Sequence, residues 1–366
     1  MVITPRGETW YDEPIDLHDE QGNLTARGYA ISMLIKYDRA RIKASKMRIK
    51  EWDYYLINDD DYAIALTLND MGYLGMISAS FLDFNTGAFK TSTVLTPFPL
   101  GKFNMPSTSA EGLSEFENKQ VRMRLKAASG ARRLECVFKK FDGDEELSLD
   151  IVLDREPKDS MVIATLWAED PSAFYFNQKI IAMRAEGSFT KGSLKHCFSP
   201  ETSFGLLDWG RGVWTRDNTW YWSAAQGWQD GIGGNEPGGH VFGFNLGYGF
   251  GDTSAASENM VFVDGVAHKL GRVNFGIPEL PEAASAKLLK DRFDFMNPWH
   301  FTDDEGRLDL VFTPSIDRCD YTDVKLIVSD QHQVFGSFSG YVILDDGTRF
   351  EVRDLRGFAE AVRNKY

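Results

Sequence analysis

Carboxylates set among large aromatic side chains are the residues of this chain best suited to chemistry, and they concentrate between Phe204 and Asn259. That stretch reads FGLLDWGRGVWTRDNTWYWSAAQGWQDGIGGNEPGGHVFGFNLGYGFGDTSAASEN. It holds five of the nine tryptophans: Trp209, Trp214, Trp220, Trp222 and Trp228. Asp208 stands between Leu207 and Trp209, while Asp252 and Glu258 flank the small-residue run Thr253–Ser257. A carboxylate walled by rings loses hydration, which disfavours its charged form and raises its pKa. Such a group can donate a proton near neutral pH. Asp208 is therefore the expected general acid, with Asp252 or Glu258 as base or partner. Arg211 keeps its charge at any working pH and can pair with Asp208 or clamp a ligand oxygen. Trp209, Trp214, Trp222 and Tyr248 are expected as cavity walls whose π faces could stabilise a developing cation. Tyr221 and Asn259 complete the binding candidates of this stretch.

A plainer account stands beside this one. Asp208 and Arg211 could be a buried structural pair, and Asp252 a turn cap, because ion-pair networks also perturb pKa values. For the stretch as a whole, aromatic walls with convergent polar groups favour a ligand site.

Strands must position these groups. Three are expected: Leu206–Trp214, Thr219–Ala224 with Trp220 and Trp222 opposite Tyr221, and Val241–Phe250. The last alternates Phe242, Phe244, Leu246, Tyr248 and Phe250 with Gly243, Asn245, Gly247 and Gly249, leaving Asn245 above a floor of glycines, where its amide is expected to reach into an open cavity and, with Arg211, hold a polar end of the substrate. Glycine weakens a strand, so its repetition implies rings or a ligand packed close to the backbone. Upstream, IKEWDYY puts Glu51, Asp53 and Tyr55 on one strand face and Trp52 and Tyr54 on the other. Trp52, Asp53 and Tyr54 are candidates for a second cavity wall. Period-2 alternation with Gly/Asp turns recurs along the chain: the hairpin tip Asn58–Asp61, then Val121–Lys126, Leu134–Phe141, Leu147–Leu153, Met161–Ala168, Phe174–Arg184, Leu308–Thr313, Asp323–Ser329, Phe335–Leu344 and Thr348–Asp354. Helices are expected only at Ala283–Phe293 and Phe358–Lys365. Thr96–Ser114 and Gly276–Ala286 carry prolines and read as connections. Many short strands and little helix predict an all-β fold of antiparallel barrels or sandwiches. A break near Gly187–Pro200 divides the chain into an N-terminal domain, residues 1–195, and a C-terminal domain, residues 196–366.

Composition narrows the function classes. The chain has 366 residues and a net charge of −14. This disfavours nucleic acid and anionic membrane surfaces, which call for clustered Lys and Arg. No apolar run reaches the length of a membrane span, and Met1–Glu20 has no apolar signal core, so membrane insertion is not expected and a cytoplasmic location is. Cys136, Cys197 and Cys319 fit neither a disulfide framework nor a zinc motif. The six histidines show no HxH or HExxH spacing, so no metal and no cofactor is expected. His240, which opens the Asn245 strand, is the best catalytic candidate among them. Ser254 and Ser257 lack a GxSxG elbow. Gly231–Gly239 matches no phosphate loop.

The strings KEWDYY (Lys50–Tyr55), LLDWGRGVW (Leu206–Trp214), WYW (Trp220–Trp222), GFNLGYGFGDTSAASEN (Gly243–Asn259) and DGTRFEVRDLRGFAE (Asp346–Glu360) resemble the family catalogued as domain of unknown function 2804. More distantly the layout is similar to the superfamily of carotenoid 1,2-hydratase (hydroxyneurosporene synthase) and AttH-like proteins. That resemblance implies two lipocalin-like half-barrels packed together. It also implies cofactor-free hydratase or cyclase chemistry on apolar polyenes, with Asp208, Trp209 and Trp214 in the place of a cavity-lining Trp/Asp string. Here Gly210-Arg211-Gly212 replaces the His- or Glu-rich string of the hydratases.

The expectation is a cofactor-independent lyase, hydratase or isomerase acting on a small apolar or aromatic molecule. The alternatives are a non-catalytic carrier of a lipophilic ligand, which would need few interior charges, and a carbohydrate-active protein, which would use the same tryptophans and paired carboxylates.

Overall fold

The computed structural model describes residues 1–231, 239–281, 286, 288–323 and 328–365. Among these the chain is all-β, built from two large curled, lipocalin-like and almost wholly antiparallel sheets and one small parallel pair, Ile15–Asp16 with Ile35–Lys36. In the first, of 15 strands, neighbours run Met161–Trp167, Asp170–Lys191, Phe204–Val213, Ile49–Asn58, Tyr62–Asp70, Leu74–Asp83 and Ala88–Pro97. The C-terminal half of Asp170–Lys191 pairs instead with Glu145–Asp154, which leads through Ala131–Asp142 and Val121–Ala128 to Gly112–Glu117. The second sheet, of nine strands, centres on His240–Tyr248, Asp217–Gln229, Arg349–Lys365, Val328–Ile343 and Leu308–Asp323.

Each sheet wraps its own core. The first encloses Phe174, Phe176, Leu207 and Trp209; the second encloses Phe242, Phe244, Phe301, Phe312 and Phe338. A third cluster fills the seam between the sheets and includes Tyr54, Tyr175, Leu206, Trp214, Trp222, Phe250, Phe335 and Phe358. The strands that meet there are therefore buried on both faces, and alternation decides which core each side chain enters. The sheet changes between Val213 and Asp217, later in the chain than the break expected near 187–200. That stretch instead holds the hairpin of Asp170–Lys191 with Leu194–Phe198, inside the first sheet.

The predicted strands largely appear, and the Asn58–Asp61 tip is a turn closed by Asp59, whose carboxylate accepts from the Asp61 and Tyr62 amides. Two helices do not follow expectation. Phe358–Lys365 is the end of the strand Arg349–Lys365, which pairs with neighbours on both sides. Its residues look helical because both faces are covered: Phe358 faces the seam while Ala359 and Ala361 face the second core. Of Ala283–Phe293, Leu289–Arg292 is helical, and residues 282–285 and 287 lie outside the described residues. The same holds for 232–238 of the Gly231–Gly239 stretch and for 324–327 of Asp323–Ser329. Among the described residues no helix is long and apolar enough to cross a membrane.

Candidate functional site

A polar cluster lies in the seam, and strand register builds it. Lys179 and Asp208 are directly opposed on adjacent strands, as are Asp208 and Tyr54 on the next pair. Alternation then places Tyr175, Asn177 and Lys179, Asp208, and Trp52 and Tyr54 on the one face that meets the second sheet. Asp208 is buried and accepts from three donors. Lys179 Nζ lies 2.9 Å from its Oδ2, Asn177 Nδ2 donates to its Oδ1 at 2.6 Å, and Trp52 Nε1 reaches the same oxygen at 3.2 Å. The Lys179 ammonium also sits 3.7 Å from the centre of the Trp222 ring, a cation–π contact made out of water.

The second sheet supplies the rest. Glu258 is 2% exposed. Tyr175 OH lies 3.4 Å from its Oε2, and its Oε1 is buried without a hydrogen-bond partner among the described residues. Burial pushes the Glu258 carboxyl up to about 7, against the pull of Lys179 and with the push of Asp208. Burial raises Glu360 as well. Glu360 accepts from Trp220 Nε1 at 3.0 Å and from Gln333 Nε2 at 2.9 Å. The Tyr175 hydroxyl is raised well above its ordinary value by burial and by Glu258.

Glu258 is held from both sides along the chain. Its carbonyl accepts from Asn245 Nδ2 at 2.9 Å, and Asn245 Oδ1 accepts from Trp222 Nε1 at 2.7 Å. The next residue, Asn259, clamps Gly247 N and Gly271 O. The preceding one, Ser257, is tied to Glu8 and Lys269, with Lys269 Nζ 2.6 Å from Ser257 Oγ. Gly247 then has a concrete role, because a Cβ there would lie 2.0 Å from Glu258 Oε1. Gly243 leaves room for Ile181, and a Cβ on Gly210 would strike the Trp52 ring at 1.9 Å. The glycine floor thus serves side chains crossing the seam.

Around the carboxylates stands an aromatic box. Trp52 stacks on Tyr175 at 6.2 Å, Tyr175 on Phe250 at 4.7 Å, and Trp214 meets Trp52 and Trp220 edge-on at 5.8 and 5.0 Å. Trp52 and Trp220 are its half-buried members. Each donates its indole N–H inward to a buried carboxylate.

The structure brings together Asp208, Glu258, Trp52, Tyr54, Trp214, Trp222 and Asn245 from the sequence candidates. It separates the others. Arg211 does not pair with Asp208, because three residues' offset on a strand puts it on the opposite face, inside the first half-barrel. There it lies 3.1 Å from Asp53 Oδ1, donates to the carbonyls of Trp52, Gly210 and Pro106, and lies over the Trp209 ring at 3.9 Å. Asp53 and Trp209 go with it and line no seam wall. Tyr248 and Tyr221 stack on each other at 4.6 Å on the second half-barrel's inner side. Asp252 is exposed and caps its own turn through Ser254 N, with its pKa lowered by that bond. His240 pairs with Asp264 at the opposite end of its strand from the cluster. Asn245 reaches no open cavity, since its amide is consumed in positioning Glu258 and Trp222. Asn259 is likewise a clamp.

Lys179, Asn177, Tyr175 and Glu360 were not found from the sequence. The first three had a signal, polar tips at alternate positions of the apolar run FYFNQK. Glu360 was hidden by the helical reading of its segment. Two hollows lie elsewhere. One, of about 240 Å3, is bordered by Asp217, Tyr221, Leu289, Arg292 and Arg363; the other lies beside Asp53, Ser109 and Ser114.

Among solved structures, a Nitrosomonas europaea protein described as an AttH candidate superposes with a TM-score of 0.50 at 11% identity, covering 89% of this chain and 96% of that one. Kievitone hydratase from Nectria haematococca gives 0.49 at 11% identity, covering 87% and 88%. At 11% identity the first of these speaks to fold alone. No curated protein matches the chain. The family model of DUF2804, a domain of unknown function, matches residues 8–366, so the chain belongs to that family.

Proposed function

We propose that the seam cluster is the active site of a cofactor-independent hydratase, lyase or isomerase acting on a small apolar or aromatic molecule. The observation that carries this reading is Glu258. Its carboxyl is buried, has one oxygen without a partner among the described residues, and has its pKa pushed up to about 7 beside the Lys179–Asp208 pair. A neutral carboxyl of that pKa is matched to proton transfer near neutral pH. The acid role expected for Asp208 therefore passes to Glu258, and Asp208 becomes the fixed negative partner of Lys179. In a hydration, Glu258 would give its proton to one carbon of a double bond. Water would add to the other carbon and lose a proton, which returns to the Glu258 carboxylate. Dehydration is the reverse, and an isomerisation uses the same carboxyl to add and remove a proton. Trp52, Trp214, Trp220 and Tyr175 would flank the cation that develops. The half-buried indoles of Trp52 and Trp220 are the side a substrate would approach.

A second reading is a purely structural polar seam. It is favoured by how many of these groups satisfy one another; among the described residues the exceptions include Glu258 Oε1, Asn177 Oδ1 and Trp214 Nε1. The two readings differ in what Glu258→Gln does. Conjugated alkenes, enones and their hydrated alcohols would be offered to the purified protein, with gain or loss of conjugation followed by ultraviolet absorbance. On any substrate turned over, the catalytic reading expects Glu258→Gln to lower kcat by roughly 10²–10⁴-fold with the fold intact. Unchanged turnover in that variant would remove Glu258 from the reaction and leave the structural seam.

A further inference from the structure

A second constellation lies away from the seam, on the paired strands Leu308–Asp323 and Val328–Ile343. Cys319 and His332 are directly opposed in register. Asp317 is two residues from Cys319 on the same strand and so shares its face, as Asp330 shares that of His332. One ligand atom each from Asp317, Cys319 and His332 lie within 4.8 Å of one another. Asp317 Oδ2 is 2.8 Å from His332 Nδ1. A tetrahedral zinc site has bonds of roughly 2.0–2.3 Å and hence ligand atoms about 3.4 Å apart. The spacings of the three donors, from 2.8 Å up to 4.8 Å, bracket that value.

We propose that Asp317, Cys319 and His332 bind a zinc-type divalent cation, with Asp330 as the partner that fixes the histidine ring. Three features support this beyond the cluster itself. The mix of thiolate, imidazole and carboxylate suits zinc better than the oxygen-seeking Mg2+ or Ca2+. The ring is already oriented as a ligand: Nε2 faces the fully buried Asp330 Oδ1 at 3.5 Å, leaving Nδ1 to face Asp317 and Cys319. Metal-bound histidines are held by such an outer carboxylate. Asp330 is in turn anchored by the Leu289 amide at 2.6 Å, and Phe295 stacks on the ring at 4.0 Å. Finally, a buried oxygen of the first aspartate, Asp317 Oδ1, has no hydrogen-bond partner among the described residues. Cys319 is exposed, so a fourth position opens to water, and the cation would staple the two strands. Sequence spacing conceals this set because its ligands come from different strands.

The alternative is an imidazolium held between two carboxylates, which needs no thiol. The test uses the whole protein stripped by chelator. Co2+ is added as a spectroscopic probe, and Zn2+ affinity is read by competition with a chelating dye. One equivalent of Co2+ should give a thiolate charge-transfer band. Cys319→Ser should abolish the band and weaken Zn2+ binding by more than the roughly 10–100-fold expected for Asp330→Asn. Cys197→Ser, which removes the other exposed thiol, should leave both unchanged. No band in the unaltered protein, or equal Zn2+ affinity in Cys319→Ser, would overturn the assignment. Circular dichroism of each variant separates lost binding from lost fold.

Discussion

Lys179 and Asp208 stand opposite each other on neighbouring strands and close a buried ion pair at 2.9 Å, with the ammonium lying over the Trp222 ring of the other sheet. The pair therefore joins the first half-barrel to the second as well as charging the site. Removing either partner strands the other charge away from water. Lys179→Met or Asp208→Leu alone should cost roughly 3–5 kcal/mol in urea unfolding, and the double variant much less than the sum. Additive costs would show that the two do not interact.

Glu258 gives a pH signature. Its folded value of about 7 lies above its ordinary 4.5, so between these pH values the folded state holds a proton that the unfolded chain has lost. Stability from this group is full below about 4.5, falls as pH rises, and is lost once pH passes about 7. The total is about 3 kcal/mol. Glu258→Gln should remove that slope. Its stability relative to the unaltered protein should therefore rise from pH 4.5 to 7, measured by urea unfolding across that range. A flat difference would place the titration elsewhere.

The glycines of the seam are tested by the smallest possible addition. Gly210→Ala forces the Trp52 indole away, and Gly247→Ala collides with Glu258 Oε1. Overpacking of this kind costs about 1–3 kcal/mol. Gly210→Ala should also change tryptophan emission, because Trp52 loses its bond to Asp208. Thermal melting and fluorescence would read both. Unchanged spectra would contradict the close contact of ring and backbone.

Arg211 separates location from function. It is fully buried with Asp53 inside the first half-barrel, so Arg211→Met should destabilise by roughly 3–5 kcal/mol. The pH profile of turnover in the protein that remains folded should not move. A shifted profile would return Arg211 to the site.

Much of this was legible in the chain. Alternation placed Trp52 and Tyr54 together and opposed Trp220 and Trp222 to Tyr221, and Asp208, Glu258 and Asn245, singled out in one stretch, come together in one buried cluster. Arg211 is near Asp208 along the strand but not in space. Asp208 and Arg211 are an odd number of residues apart and so enter different cores. Asp252 and Glu258 looked equivalent in sequence, but one caps an exposed turn and the other is buried. Only the seam distinguishes them, and no local pattern encodes it. Glu360 was lost for the same reason: a strand covered on both faces carries no alternation to read.

The central claim is that Glu258 carries a proton near neutral pH. Carbon-13 NMR of protein labelled at glutamate side-chain carboxyls, assigned by the signal missing in Glu258→Gln, measures this without knowledge of the substrate. A titration midpoint near 7 is expected. A midpoint at the ordinary 4.5 would contradict it.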